Sequence, residues 1–147
     1  MSIATVSRVI NGSDRVSPRT RQKVLRVIEE NGYTPNAFAR GLGLNTMHTI
    51  GLLCADAADP YLAQAVNDLE RRLRQSGYDS LLCCTGYEQE TKEKYLSLLL
   101  SKRVGGLVLV GSHFVESEEA GNAYIRRAAQ EVPVMPLGGA LAGQNLY

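Results

Sequence analysis

The sequence predicts an α/β protein in two parts, a partial helix-turn-helix segment followed by a doubly wound parallel sheet, and three observations predict it. Between Ser2 and Gly32 two helix-period stretches flank a Gly12-Ser13-Asp14 break. From Thr49 onward short apolar runs alternate with longer amphipathic stretches, the pattern of parallel strands joined by right-handed helical crossovers. The charge divides at the same place. Met1 to His48 carries 7 Lys/Arg against 3 Asp/Glu, whereas Thr49 to Tyr147 carries 9 against 12, so a formal net charge of +1 hides a head of +4 and a body of −3. A basic head on an acidic body predicts a polyanion partner for the head only.

Ser2 to Asn11, SIATVSRVIN, is the first predicted helix. Its apolar anchors are only Val6, Val9 and Ile10, while Ser2, Thr5, Ser7, Arg8 and Asn11 lay out hydroxyls, a guanidinium and an amide. Such a helix has one face to bury and another made to hydrogen-bond. That division suits the major groove, where Arg forks onto guanine, hydroxyls and amides reach phosphates, and small apolar side chains meet thymine methyls. A solvated amphipathic helix shows the same division, and the rest of the chain decides between them.

Ser17 and Pro18 supply a cap and a first-turn proline for the second helix, on which Val24, Val27 and Ile28 form an i, i+3, i+4 stripe before the Asn31-Gly32 stop. Ser17 and Thr20 stand at a helix N-terminus, where unpaired N–H groups and the dipole favour phosphate; a cap can serve both purposes. Tyr33-Thr34-Pro35-Asn36 turns the chain, and Asn36 can cap a brief helix from Ala37 to Leu44. That helix contains Gly41 and Gly43, each about 1 kcal/mol less favourable than Ala, so it folds only when something holds it. Asn45 to His48 is a polar linker. The expected domains are 1–44, the linker 45–48, and 49–147.

In the body, TIGLLCA predicts the first strand and Tyr61 to Ser76 a helix with Leu62, Ala65, Val66, Leu69 and Leu73 on one side. YDSLLCC is the second strand, Thr91 to Ser101 a helix, GGLVLVG the third strand, Glu116 to Glu131 a further helix, and PVMPL a fourth, weaker strand. Ligands of such sheets lie beyond the carboxyl ends of the strands. Those ends are Asp56 to Tyr61, Thr85 to Tyr87, Gly111 to His113, and Gly138-Gly139. Asp56, Asp59 and Ser112 offer hydrogen bonds to hydroxyls, and Tyr61 a flat face for a sugar or nucleobase, although Asp and Gly in loops are also ordinary turn formers.

A chain of 147 residues with 44% hydrophobic content can bury one core with a small appendage. No apolar run approaches the ~20 residues of a membrane span, and no signal-peptide pattern opens the chain, so no membrane association and a cytoplasmic location are expected. Cys54, Cys83 and Cys84 all fall in predicted strands; the adjacent pair points to opposite faces and cannot share a metal, and the three read as reduced core residues. Only His48 and His113 could serve as imidazole bases, and neither belongs to a nucleophile or metal motif. Glu88, Glu90 and Glu93 open a helix, where carboxylates are favoured in any case. No catalytic residue, metal or cofactor is expected.

ATVSRVING followed by VSPRTRQKVLRVIEENGYTPNAFARGL resembles the DNA-binding headpiece of the lactose-repressor family over Met1 to Leu44: TVSRVIN, the VSxxTR turn, the GYxPN exit and the AxxL hinge arrive in order at family spacing. Downstream, IGLLCADAADPY, GYDSLLCCT, EKYLSLLLSKRVGGLVL and VPVMPLGG resemble the first half of the family's effector domain, which is similar to periplasmic sugar-binding proteins. The resemblance implies a sequence-specific transcriptional regulator, a repressor by preference, that binds double-stranded operator DNA as a homodimer under control of a small-molecule effector of carbohydrate or related type. It places Ile3 and Ala4 at variable base-reading positions and Arg8 at a guanine. Ser2, Thr5, Ser7, Asn11, Ser17, Thr20 and Asn36 fall among its DNA-contacting positions, chiefly at phosphates. Tyr33 and Ala39 belong to its exit and hinge motifs, and Leu42 stands where a leucine wedges into the minor groove as the hinge pairs with its twin. Asp56, Asp59, Tyr61 and Ser112 fall in its effector cleft.

Two departures accompany the match. The family's first helix and its second effector subdomain have no counterpart, and Met1 stands where members usually carry Val, as a GTG codon read as a start, or a cut chain, would leave it. The resemblance therefore implies a fragment, which alone is expected to bind operator poorly. Leu137-Gly138-Gly139 replaces the charged end usual after the fourth strand, which leaves the ligand class open. Two other readings stay in view: a sugar-binding module whose basic head is irrelevant, and a fragment with no function of its own.

Overall fold

The computed structural model describes residues 1–34 and 48–147, and the chain falls into two compact units, Met1–Met47 and His48–Tyr147. The expected hinge helix, with Asn36, Ala39 and Leu42, lies outside the described residues, as does all of the expected linker except His48.

The first unit contains α1 (Ile3–Ile10) and α2 (Pro18–Glu30). Each begins at an extended serine whose hydroxyl oxygen accepts a backbone N–H three residues on: Ser2 from Thr5 and Ser17 from Thr20, both at 3.3 Å. This interaction satisfies one of the amides that a helix start leaves unpaired, and Pro18 needs no partner at its own position. Gly12 leaves α1 with φ +70°, a conformation open to glycine, and the turn is held where the Arg21 guanidinium donates to the Ser13 carbonyl at 2.5 Å. The seam between the helices buries Val9 and Val24. Val27, expected on the same stripe, is instead 50% exposed. A single partner helix covers only a narrow strip, and that strip runs through Val24 toward Ile28, which is half-buried.

The second unit runs β1 (Thr49–Cys54), α3 (Pro60–Gln75), β2 (Asp79–Cys84), α4 (Gln89–Ser101), β3 (Gly106–Val110), two 3-10 turns (Ser112–Phe114 and Glu119–Asn122), α5 (Ala123–Ala129) and β4 (Val134–Leu137). The strands form one parallel sheet in the order β2-β1-β3-β4. Cys54 is the register partner of both Cys84 and Val110, and Val110 of Leu137, so all four strands finish at one level. One face packs Leu53, Leu107 and Leu109 against Leu96 and Leu99 of α4 and Ile125 and Ala128 of α5. The other packs Leu52, Cys54, Val108 and Val110 with Leu62, flanked by Ala65, Val66, Leu69 and Leu73 of α3. Each fully buried aliphatic side chain stabilises the fold by roughly 1.5 to 3 kcal/mol. Helices on both faces explain why β1 and β3 read as continuous apolar runs rather than alternating ones.

Two expectations need correction. The helix expected over Glu116 to Glu131 is broken: the Asn122 amide donates to the Glu116 carbonyl at 2.8 Å and its oxygen accepts the Glu116 N–H at 2.8 Å. That reciprocal clasp closes a loop, and regular helix begins only at Ala123. The cysteines are all free, but Cys84 is exposed rather than part of the core, because it ends the edge strand β2. Among the described residues no helix is long and apolar enough to cross a membrane.

Candidate nucleic-acid interface and effector face

The outer side of α1 carries residues that are exposed among the described residues. Ile3 and Ser7, and Ala4 and Arg8, are i, i+4 pairs and so form two neighbouring rows; all four are exposed, Ile3 to 90%. An isoleucine so placed contributes almost no burial to its own unit, while Arg8 in the last turn has a guanidinium fork to present. At the helix start the Ser2 and Thr5 hydroxyls lie 3.0 Å apart, and at the start of α2 the Ser17 and Thr20 hydroxyls lie 2.9 Å apart. Each pair surrounds N–H groups carrying the positive end of a helix dipole, so an anionic oxygen could be received there. The Asn11 side chain donates to the Ser7 hydroxyl at 3.4 Å. Arg15, Arg19, Lys23 and Arg26 are exposed around α2, and Tyr33 is exposed just beyond it. Ser2, Ile3, Ala4, Thr5, Ser7, Arg8, Asn11, Ser17 and Thr20 are thus all carried by one two-helix unit.

In the second unit Asp56, Asp59, Tyr61 and Ser112 all stand at the carboxyl ends of neighbouring strands β1 and β3. The Asp56 carboxylate accepts the Ala58 N–H at 2.8 Å, and Asp59 caps α3 by accepting from Tyr61 at 2.8 Å and Leu62 at 3.1 Å. One oxygen of each carboxylate is therefore occupied in shaping the turn, and these residues position the loop whatever else they do. Tyr61 is 80% exposed and offers its ring to solvent. Ser112 opens the turn after β3.

Sequence reasoning missed the polar group beneath this face. Lys92 of α4 is buried, 3% exposed, with its ammonium donating to the His113 carbonyl at 2.5 Å and to Glu116 at 3.2 Å, 6.0 Å above the centre of the Phe114 ring. The available signal was spacing: Lys92, Leu96 and Leu99 fall at i, i+4, i+7 and share the inward side. The His113 ring lies 5.2 Å from that of Tyr87, edge to face, and 4.2 Å from that of Phe114. Burial first, then the Lys92 charge, push His113 below its ordinary value and so favour its neutral imidazole. Its Nε2 is buried without a hydrogen-bond partner among the described residues. The neighbouring Tyr124 hydroxyl donates to the Phe114 carbonyl at 2.7 Å, and burial pushes its pKa up. An apolar cavity of about 410 Å³ between Ile50, Leu69, Tyr78, Val108 and Met135 lies at the opposite end of the sheet from these loops. No group of three or more His, Cys, Asp or Glu among the described residues could hold a metal.

Comparison with known proteins matches each part of this arrangement. Residues 1–36 match the family of bacterial regulatory proteins, lacI family, and residues 47–137 match periplasmic binding proteins and the sugar binding domain of the LacI family. The chain is 62% identical over 147 residues to an HTH-type transcriptional regulator of Lachnoclostridium phytofermentans, covering all of this chain and 44% of that one. It is 35% identical over 134 residues to the HTH-type transcriptional regulator DegA of Bacillus subtilis, covering 91% of this chain and 39% of the relative. Among solved structures, the lac repressor dimer bound to operator and the anti-inducer ONPF aligns with a TM-score of 0.78 at 26% identity, over 95% of this chain and 42% of that one. The chain thus spans less than half the length of these relatives.

Proposed function

The chain belongs to the LacI family of bacterial regulatory proteins, and from that premise we propose that the protein it represents is a sequence-specific DNA-binding transcriptional repressor, acting in the cytoplasm as a homodimer and controlled by a small-molecule effector. The observation that carries the reading is the outer side of α1, where Ile3, Ala4, Ser7 and Arg8 stand exposed in two helical rows between two capped helix starts. Arg8 forks onto a guanine in the major groove, while Ile3 and Ala4 meet thymine methyls or tolerate a base. Ser2, Thr5, Ser7, Asn11, Ser17 and Thr20 fix the helix on phosphates, with Tyr33, Asn36, Ala39 and Leu42 following along the duplex. The effector is a hydroxyl-rich metabolite of carbohydrate type, received by Asp56, Asp59, Tyr61 and Ser112 against a second wall supplied by the longer protein.

Selection of bound duplexes from a random pool tests the reading, using the full-length protein and its Arg8→Ala variant. The wild type should enrich a two-fold symmetric site, and the variant should relax one base pair in each half-site. Recovery of no common site from the wild type would reject the proposal.

A further inference from the structure

We propose that Cys54 and Cys84 are joined in a disulfide when the protein meets hydrogen peroxide, making this pair an oxidation site at the base of two ligand-face loops. Cys54 closes β1 and Cys84 closes β2; they are register partners on neighbouring parallel strands, and their sulfur atoms lie 3.9 Å apart. Adjacent strands run about 4.8 Å apart, inside the window of roughly 4.4 to 6.8 Å between Cα atoms that a disulfide accepts. The Cα spacing is therefore compatible with the bond, which forms as the two sulfur atoms close from 3.9 Å. Cys83 is not an alternative partner for Cys54, because it points through the other face of the sheet and packs, beside its register partner Leu53, against the core on that side, whereas Cys54 packs with Leu62 beneath α3.

Exposure sets the order of events. Cys84 is exposed and Cys54 fully buried. Burial, then its neighbour Cys84, push the Cys54 thiol up to about 12, so peroxide reacts first at Cys84. The Cys84 sulfur attacks one peroxide oxygen; an S–O bond forms, the O–O bond breaks, and the thiol proton leaves with the second oxygen as water. The Cys54 sulfur then attacks the Cys84 sulfenic acid; the S–S bond forms, the S–O bond breaks, and the Cys54 proton departs with the hydroxyl as a second water. Two thiols lose two electrons and one peroxide gains them.

The bond would tie together the two strand ends from which the Asp56 loop and the Thr85 to Tyr87 loop depart. These ends are already joined by Thr85 donating to the Cys54 carbonyl at 2.8 Å and Gly86 to the Ala55 carbonyl at 2.9 Å. The inference rests on strand register and stands apart from the DNA-binding reading.

Hydrogen peroxide treatment of the purified chain, followed by denaturation, alkylation with N-ethylmaleimide and peptide mass mapping, tests it. The wild type should keep one alkylated cysteine, Cys83, and yield a Cys54–Cys84 linked peptide. Cys83→Ser should give the same link with no alkylated cysteine. Cys84→Ser and Cys54→Ser should each lose it; Cys84 is exposed, so its variant folds even if the buried one does not. A Cys83–Cys84 peptide, a link between two chains, or three alkylated cysteines under conditions that oxidise a free model dithiol would overturn the proposal.

Discussion

Lys92 holds the backbone of His113 across 21 residues of sequence, its ammonium 2.5 Å from the His113 carbonyl and 3.2 Å from Glu116. A cation carried on α4 thus fixes the turn after β3, and with it the position of Ser112 and the His113 ring. The unequal exposure of the pair, 3% for Lys92 against 45% for Glu116, decides which deletion matters. Lys92→Met should cost about 1 to 3 kcal/mol by urea denaturation, because it leaves a buried carbonyl without its donor. Glu116→Gln should cost less, since the half-exposed glutamate recovers hydration. Equal losses from both variants would show that the ion pair, not the carbonyl, is what counts.

The lowered His113 pKa makes stability depend on pH in a definite sense. The folded imidazole takes up its proton at lower pH than the ordinary one in the unfolded chain, so as pH falls through 6.5 the unfolded state binds the extra proton first. The contribution is fully present above 6.5 and is lost as pH falls below it. His113→Gln should flatten the fall of the urea midpoint between pH 7.5 and the acid range immediately below 6.5, compared with wild type. An unchanged slope would mean that the carboxylates carry the whole dependence.

Gly111 should be far less replaceable than Gly12. Gly111 has φ +120°, and an added Cβ would lie 2.6 Å from the His113 ring, whereas Gly12 has φ +70° with nothing within 4 Å. Gly12→Ala should therefore cost only the conformational penalty of about 1 to 2 kcal/mol. Gly111→Ala should cost more and displace the imidazole, which the chemical shifts of His113 would report.

Ser17→Ala and Arg8→Ala should separate holding from reading in the full-length protein. Loss of the Ser17 cap should weaken α2 by about 1 kcal/mol and lower affinity for all duplexes alike. Arg8→Ala should cost about 1 to 3 kcal/mol on the preferred site with little change on random DNA. Competition binding with both duplexes measures the two ratios.

Much of the fold was legible in the sequence where local chemistry forces it. Ser17-Pro18 marks a helix start in one short stretch, and the apolar runs of β1 and β3 read as buried strands, whereas the Asp59 cap on α3 reads only as a ligand-side carboxylate. Parallel strands joined by right-handed crossovers were legible too, whereas the order β2-β1-β3-β4 also depends on α3 and α4 lying on opposite faces of the sheet, which the structure supplies. The segment after His113 was not legible, because helix-forming Glu116 to Glu131 was overruled by the Asn122 clasp on Glu116, a contact that propensity does not register. Lys92 escaped notice for a related reason: its charge argued for solvent, while the partners that hold it lie in the turn beyond β3. A separation of 30 residues likewise divides Cys54 from Cys84, which only strand register brings together.

The central claim is that the basic first unit, with 7 Lys/Arg against 3 Asp/Glu up to His48, meets duplex DNA through α1. Binding of the full-length protein to its selected duplex, measured by fluorescence anisotropy across a salt series, tests this most directly. The logarithm of affinity should fall linearly with the logarithm of salt, by about 0.9 per phosphate neutralised, for selected and random duplexes, while the preference for the selected site survives until Arg8 is replaced. Affinity indifferent to salt, or a preference untouched by Arg8→Ala, would contradict it.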